Sequence, residues 1–338
     1  MSKAFLRAFF GIMFMACSIV AMSQVQFIQE KKSPVVHVMF GKKHFTDFFF
    51  PDTIAKPVLY PIAAPNGTII TRGFPMKPTP DEPTDHPHHL GLWLNYENVN
   101  GLDFWNNSFA IPADKLDKYG KIKFDGITKQ AGGKLAYVAT WQDVKSTPML
   151  KEETEYAFSE AQGAWIIDRI TTLKALMQIT FTDAKDGLLG LRVAHALQLP
   201  TKETKKFKDA NGIETVIKAV TDTIANGNYL NANGIQGDAV WSTKAPWCML
   251  YGKMGADSIS IVIIDHPKNV GYPTNWHARG YGLFAANPLG EKIFTNGKVE
   301  RNLSLKTGES VTFRYRIAIY AGKKVISKES IEALVTGF

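Results

Sequence analysis

The sequence predicts an all-β fold, a large antiparallel sandwich of two sheets. Three observations predict it. Apolar and polar residues alternate with a period of two along most of the chain, turn formers separate the alternating runs, and helical stretches are few.

The clearest strand runs from 310 to 321, where Val311, Phe313, Tyr315, Ile317 and Ile319 alternate with Thr312, Arg314, Arg316, Ala318 and Tyr320. Successive side chains of a strand leave opposite faces of the pleat, so this pattern marks a half-buried strand. In chain order, similar segments span 35–40, 68–74, 90–96, 121–128, 135–144, 151–158, 164–173, 176–182, 188–199 and 258–264. Pro65-Asn66-Gly67, Asp186-Gly187 and Asn296-Gly297 supply turns. The Lys151-Glu152-Glu153 run reads as a solvated strand end. The helix candidate covers 327–335, with Ser327 placed to cap it and Ser330 as a rival cap. There is no internal repeat and no break in composition, so residues 24–338 read as one β-sandwich domain.

At 338 residues the chain can bury a substantial core. Its net charge of +8 would suit an anionic partner, but the lysines (Lys42, Lys43, Lys202, Lys205, Lys206, Lys208) are scattered through polar loops. Basic patches that bind phosphate backbones are denser and interleaved with aromatics, so nucleic acid is not an expected partner. Residues 1–23 have the form of an export signal. Lys3 and Arg7 lead a short apolar run, and Ala21-Met22-Ser23 offers a small-x-small cleavage site before Gln24. A lipoprotein processed at Cys17 is the minor alternative, weakened by the poor lipobox Phe14-Met15-Ala16. Signal removal would leave Cys248 as the only cysteine, hence no disulfide framework and no thiolate metal site. No later segment is apolar enough to cross a bilayer as a helix, and the expected location is periplasmic or secreted.

The chemistry-bearing residues gather in two segments. DHPHHLGLWLNY (85–96) places Asp85, His86, His88 and His89 within five positions and then runs into an apolar strand. In a strand starting near His88, His89 shares a face with Trp93, Asn95 and Glu97. DHPKNVGYPTNWHARGYGLFAANPLG (265–290) repeats the triplet as Asp265-His266-Pro267, followed by Asn275, Trp276, His277, Arg279 and Asn287. Loops of this composition exceed what a turn needs and suit a site. Each feature also has a plain structural reading: an aspartate capping a turn, histidines satisfying backbone groups, tryptophans filling the core. His195 falls on the apolar face of its strand, and Arg192 points the other way, toward a surface or loop contact. No HExxH, GxSxG, glycine-rich phosphate loop or CxxC is present.

RGFPM (72–76), DHPHHLGLW (85–93), VNGLDFW (99–105), GLRVAH (190–195) and RGYGLFAANPLG (279–290) together resemble the bacterial PmoA-like family, named for a methane oxygenase. The resemblance spans about 56–294, and Leu90 stands where that family commonly has arginine after the paired histidines. The name points to the copper subunit of a membrane-embedded monooxygenase built of transmembrane helices, which this β-patterned chain does not match. Oxygenase activity is therefore not expected. The resemblance implies an exported β-sandwich similar in outline to the galactose-mutarotase-like supersandwich enzymes of carbohydrate metabolism, an analogy of fold only.

The expected function is acid/base chemistry on a carbohydrate or sugar derivative, of epimerase, lyase or hydrolase type. His89 or His277 would be the acid or base, with Asp85 or Asp265 as partner. Arg72, His86, His88, Trp93, Trp105, His195, His266, Asn275, Trp276, Arg279 and Asn287 would contact the small-molecule or oligosaccharide ligand, and the two Asp-His-Pro loops would meet in one pocket. One alternative is a non-catalytic sugar-binding protein, which would keep the tryptophans without needing two histidine–aspartate sets. The other is a metal-dependent enzyme, since histidines and a carboxylate suit a divalent ion, though the sequence requires none. N-terminal sequencing of protein from its native host should give a start near Gln24, and a lipidated start at Cys17 would refute the export reading.

Overall fold

A computed structural model describes residues 24–79, 82–201, 204–208, 214–217, 223–323 and 325–338, so the export signal and Cys17 lie outside the described residues. The chain first forms β1 (Val25–Ile28), β2 (Val35–Phe40), β3 (Lys43–Phe49), β4 (Val58–Ile62) and β5 (Leu92–Tyr96). Next come β6 (Lys121–Ala131), β7 (Lys134–Gln142), β8 (Pro148–Ala161), β9 (Ala164–Ala175), β10 (Ile179–Phe181) and β11 (Gly187–Arg192). β12 (Lys205–Lys208) and β13 (Glu214–Ile217) form a separate hairpin. β14 (Asn228–Asn231), β15 (Trp247–Met254), β16 (Asp257–Asp265), β17 (Asn275–Arg279) and β18 (Leu283–Asn287) follow. The last part holds α1 (Glu291–Phe294), β19 (Leu303–Leu305), β20 (Ser310–Ala321) and α2 (Lys328–Thr336).

Two eight-stranded antiparallel sheets result. The first has the order β1-β2-β3-β4-β5-β11-β18-β17 and the second β14-β15-β16-β20-β9-β8-β7-β6. They share one core, to which the first sheet sends Val36, Phe48, Leu92, Leu189 and Phe284, and the second Tyr156, Ile167, Ile261 and Ile317. The alternation predicted for 310–321 is the observed β20, with Val311, Phe313, Tyr315, Ile317 and Ile319 all in this core.

The outer faces explain where sequence reading and structure part. Strands β5, β11, β17 and β18 are buried on both sides, which weakens the alternation that marks a strand with one wet face; β5 and β11 still overlap the segments expected over 90–96 and 188–199. The sequence over β17 and β18 accordingly reads as loop. Residues 68–74 make only isolated bridges, Ala63 to Ile69 and Thr71 to Val193, and the segment expected over 188–199 ends at Arg192. On the outer face of the second sheet, Ile331 and Leu334 of α2 pack with Ile326, Val262, Ile264 and Ala318. Ser327 caps that helix as expected, its side chain accepting from the Ser330 N–H.

Glu152 is a correction: it is buried, not solvated. Its carboxylate meets Arg169 Nη2 at 3.0 Å and accepts from Tyr137 Oη at 2.6 Å, Trp141 Nε1 at 2.8 Å and Thr154 Oγ1 at 2.7 Å. Each charge is compensated inside the sandwich, so removing one partner leaves the other stranded.

The second Asp-His-Pro triplet is held in the second sheet. Asp265 ends β16, and its carboxylate accepts from Asn269 Nδ2 at 2.7 Å and from the Thr274 N–H, just before β17, at 2.8 Å. Burial pushes its pKa up to about 7 against these hydrogen bonds. His266 turns away, its ring packing edge-on against Phe338 at 5.0 Å.

Glu152→Ala should cost about 3–5 kcal/mol in a denaturant titration, because it leaves the buried Arg169 charge without its counter-ion. Asp265 binds its proton more tightly folded than unfolded, with a pKa near 7 against 3.8, so its contribution to stability is present at low pH and lost as pH rises from about 4 to about 7. Melting temperatures compared at pH 5 and pH 8 should show that fall in the native protein and a shallower one in Asp265→Asn.

Candidate active site

The outer face of the first sheet carries the candidate site. Across its strands, Trp93 of β5 pairs with Gly190 of β11, Gly190 with Ala285 of β18, and Ala285 with His277 of β17. Gly190 is required here, because a Cβ would stand 2.4 Å from the Trp93 indole and 2.9 Å from that of Trp105. Gly91, at φ +52° and with its would-be Cβ 2.1 Å from the Leu59 carbonyl oxygen, lets the 85–89 segment turn into β5.

That segment is organised around Asp85, which is 2 % exposed. Its Oδ1 accepts from Arg72 Nη1 at 3.0 Å and Arg192 Nη2 at 2.9 Å, and its Oδ2 meets Arg192 Nη2 at 3.0 Å and His86 Nδ1. Burial raises the carboxyl pKa, but Arg192, the His86 hydrogen bond and Arg72 outweigh it and hold the group far below the carboxylate range. Arg72 also donates to the backbone oxygens of Pro83, Asp85 and His86, and Lys56 Nζ donates to His88 O at 2.8 Å. Arg192 therefore points into this buried network rather than to a surface contact; it also meets His89 Nδ1 at 3.3 Å.

Aromatic rings cover the network. His86 lies parallel to His89 at 4.8 Å and to Tyr281 at 5.0 Å, and His89 is stacked near Trp93 at 5.2 Å. His88 and His89 are buried, and their pKa values sit well below the ordinary histidine value because desolvation disfavours the cation. His86 keeps 17 % of its side chain exposed, and burial lowers its pKa against the opposing pull of Asp85.

A second Asp–His pair lies along the same face. His277 Nδ1 stands 3.5 Å from Asp186 Oδ1, too far for a strong hydrogen bond. Burial, then Lys185 and Arg279, lower the His277 pKa well below its usual value. The Asp186 N–H donates to Glu97 Oε2 at 2.9 Å, and Asn287 Nδ2 fixes the preceding turn through Ala184 O and Lys185 O. Beside this pair opens a cavity of about 610 Å³ lined by Glu97, Asp103, Asp183, Lys185 and Lys292 among others. Burial raises the pKa values of Glu97 and Asp186, and lifts Asp103 to about 6 despite hydrogen bonds from Asn106. Arg279 stands over Trp241 at 5.4 Å and near Tyr281 at 5.8 Å; both aromatics are partly exposed.

The structure thus joins Arg72, Asp85, His86, His88, His89, Trp93 and Trp105 with the downstream half of the second segment, through Tyr281. The two Asp-His-Pro triplets do not meet. Asp265 braces the approach to β17, and His266 lies against the C-terminal residue Phe338. The pairing also differs from expectation: Asp85 serves His86 rather than His89, and His277 faces Asp186 rather than Asp265. Trp93, Trp105 and Trp276 are at most 1 % exposed, so none presents an open ring to a ligand. Trp276 lies in the core between the sheets, donating to Ala245 O. Asn275 is buried opposite Asn287, and His195 sits in a short 3-10 turn beyond the end of β11. Among the described residues, the three potential ligand groups that converge are His37, His44 and Asp47, away from these histidines. Sequence reasoning missed Lys56, Asp103, Asp186, Trp241 and Tyr281. Asp103 and Tyr281 stand inside VNGLDFW and RGYGLFAANPLG, while nothing in the sequence marks Trp241.

No curated protein matches the chain. Among solved structures it is similar to a GH36 α-galactosidase from Geobacillus stearothermophilus, at 10% identity and TM-score 0.40, covering 88% of this chain and 41% of the other. It is also similar to a galactose mutarotase-like protein from Clostridium acetobutylicum, at 11% identity and TM-score 0.38, covering 90% and 99%. A galactose mutarotase related enzyme from Lactobacillus acidophilus matches at 11% identity and TM-score 0.31, covering 90% and 100%. The chain spans about two fifths of the length of the α-galactosidase, and likenesses at these scores assign no chemistry. Residues 35–336 match the sequence profile of a family of unknown function, DUF6807, and the chain belongs to that family.

Proposed function

We propose that the outer face of the first sheet binds a small hydroxyl-rich molecule of carbohydrate type and transfers protons at one of its carbons or oxygens. The observation that carries this reading is the presence of two Asp–His pairs, Asp85–His86 and Asp186–His277, on one sheet face, the second next to a cavity with carboxyl groups of raised pKa. Asp85 stays ionised and fixes the His86 ring through Nδ1, while burial, against the pull of Asp85, favours the neutral imidazole and suits it to act as a base. Asp103, protonated below about pH 6, supplies the acid, with Glu97 and Asp186 as neighbouring carboxyls. Arg279, Tyr281 and Trp241 offer a partly exposed wall for the ring and hydroxyls of a sugar. The burial of Trp93, Trp105 and Trp276 counts against a purely stacking-based binding protein.

A thermal-shift panel of monosaccharides, uronic acids and short oligosaccharides should find stabilising ligands, and product analysis should then identify the reaction. With that substrate, His86→Ala and His277→Ala should each lower turnover about 10²–10⁴-fold, with the folded fraction still binding ligand. The rate should fall about tenfold per pH unit above pH 6 as Asp103 ionises, and Asp103→Asn should remove that limb. Activity losses that merely track the loss of folded protein would instead make the two pairs structural.

A further inference from the structure

Away from that face's cavity, at the β2–β3 hairpin, three side chains with metal-ligand chemistry converge. His37 Nδ1 lies 2.7 Å and His44 Nε2 2.6 Å from the same oxygen, Asp47 Oδ1. The ligand atoms of all three residues fall within 4.8 Å of one another. Their meeting depends on a backbone irregularity. His44 and Asp47 are three positions apart, and in a regular strand they would face opposite sides. In β3, Thr46 pairs with Val38 and His44 with the next residue, Met39, so Phe45 is an extra residue without a partner in β2. This bulge sends both Phe45 and Thr46 into the core, each fully buried, and returns His44 and Asp47 to the outer side together. His37, paired directly with Asp47, completes the set from β2.

We propose that His37, His44 and Asp47 form a binding site for a first-row divalent transition ion, with Zn²⁺ the simplest case. Two imidazoles and one carboxylate match the preference of such ions, whereas Mg²⁺ and Ca²⁺ favour oxygen ligands. Donor atoms around one ion at about 2.0–2.2 Å stand roughly 3–3.5 Å apart, so the two nitrogens, now 2.7 and 2.6 Å from Asp47 Oδ1, would draw back from that oxygen as the three side chains close around the ion. The side chains of His37 and His44 are 42% and 35% exposed, which gives the ion a path from solvent and leaves its other positions to water. Because the ligands come from both strands, an ion here would clamp the hairpin and stabilise the folded chain by mass action.

The test uses the tag-free protein, stripped with a chelator and titrated with ZnCl₂ and CoCl₂ by calorimetry and thermal shift. One equivalent should bind, with a rise in melting temperature, a Co²⁺ absorption band from nitrogen and oxygen ligation, and no such response to MgCl₂ or CaCl₂. His37→Ala, His44→Ala and Asp47→Ala should each weaken Zn²⁺ binding at least tenfold while remaining folded, and the first two together should abolish the Co²⁺ band. His266→Ala, a surface histidine elsewhere, should change neither. Unaltered one-to-one binding in the His37→Ala/His44→Ala double variant, or no uptake by the native protein at 100-fold molar excess of Zn²⁺, would overturn the proposal.

Discussion

The ion network of Asp85 with Arg72 and Arg192 is the constraint on which the candidate site depends. Arg192 reaches Asp85 across 107 residues of sequence, from the end of β11 to the segment before β5. A carboxylate this deeply buried is tolerable only because two guanidinium groups and an imidazole satisfy both oxygens. Arg72 also donates from Nη1 and Nη2 to the backbone of the same segment, so one charge cluster fixes the path of the chain from Pro83 to His89. The histidines inherit their positions from that path.

The same network separates residues that support the site from residues free to act. His88 and His89 are enclosed, and their ionised forms are disfavoured by desolvation and by nearby cations. His86 stands at the boundary, held by Asp85 and partly open to solvent. On the far side, the carboxyls of Glu97, Asp103 and Asp186 experience burial without comparable cationic compensation, and their pKa values rise instead of falling. Asp85 and Asp103 thus show opposite electrostatic outcomes on one face, decided by whether arginines accompany the burial.

Much of this was legible in the sequence. Long strands with one face toward solvent were readable from alternation, β20 to the residue, and the Ser327 cap located α2; the short β1 and β14, the bulged β3 and the mostly buried β15 were not. The segment 85–93 was recognisable from composition alone. β17 and β18 were not, because a strand with core on one side and site on the other carries apolar residues at nearly every position. The Asp–His partnerships were also beyond reach: Asp85 pairs with its immediate neighbour, and Asp186 was readable only as part of an Asp-Gly turn. Repetition of Asp-His-Pro misled for a physical reason, since identical triplets were set at the ends of different sheets. Burial of Trp93 and Trp105, one of the two readings open in the sequence, follows from Gly190 making room for both indoles at once.

The order of strands in the first sheet has a kinetic consequence. β5, β11 and β18 are adjacent in space but far apart along the chain, so their pairing closes long loops and must await most of the polypeptide. Arg192 cannot meet Asp85 until β11 has docked on β5, and His277 cannot join them until β18 and β17 have added in turn. The local hairpins of the second sheet, β6 through β9, have no such delay. Refolding should therefore yield β structure before it yields a competent site, and recovery of ligand binding will report the slowest step of assembly.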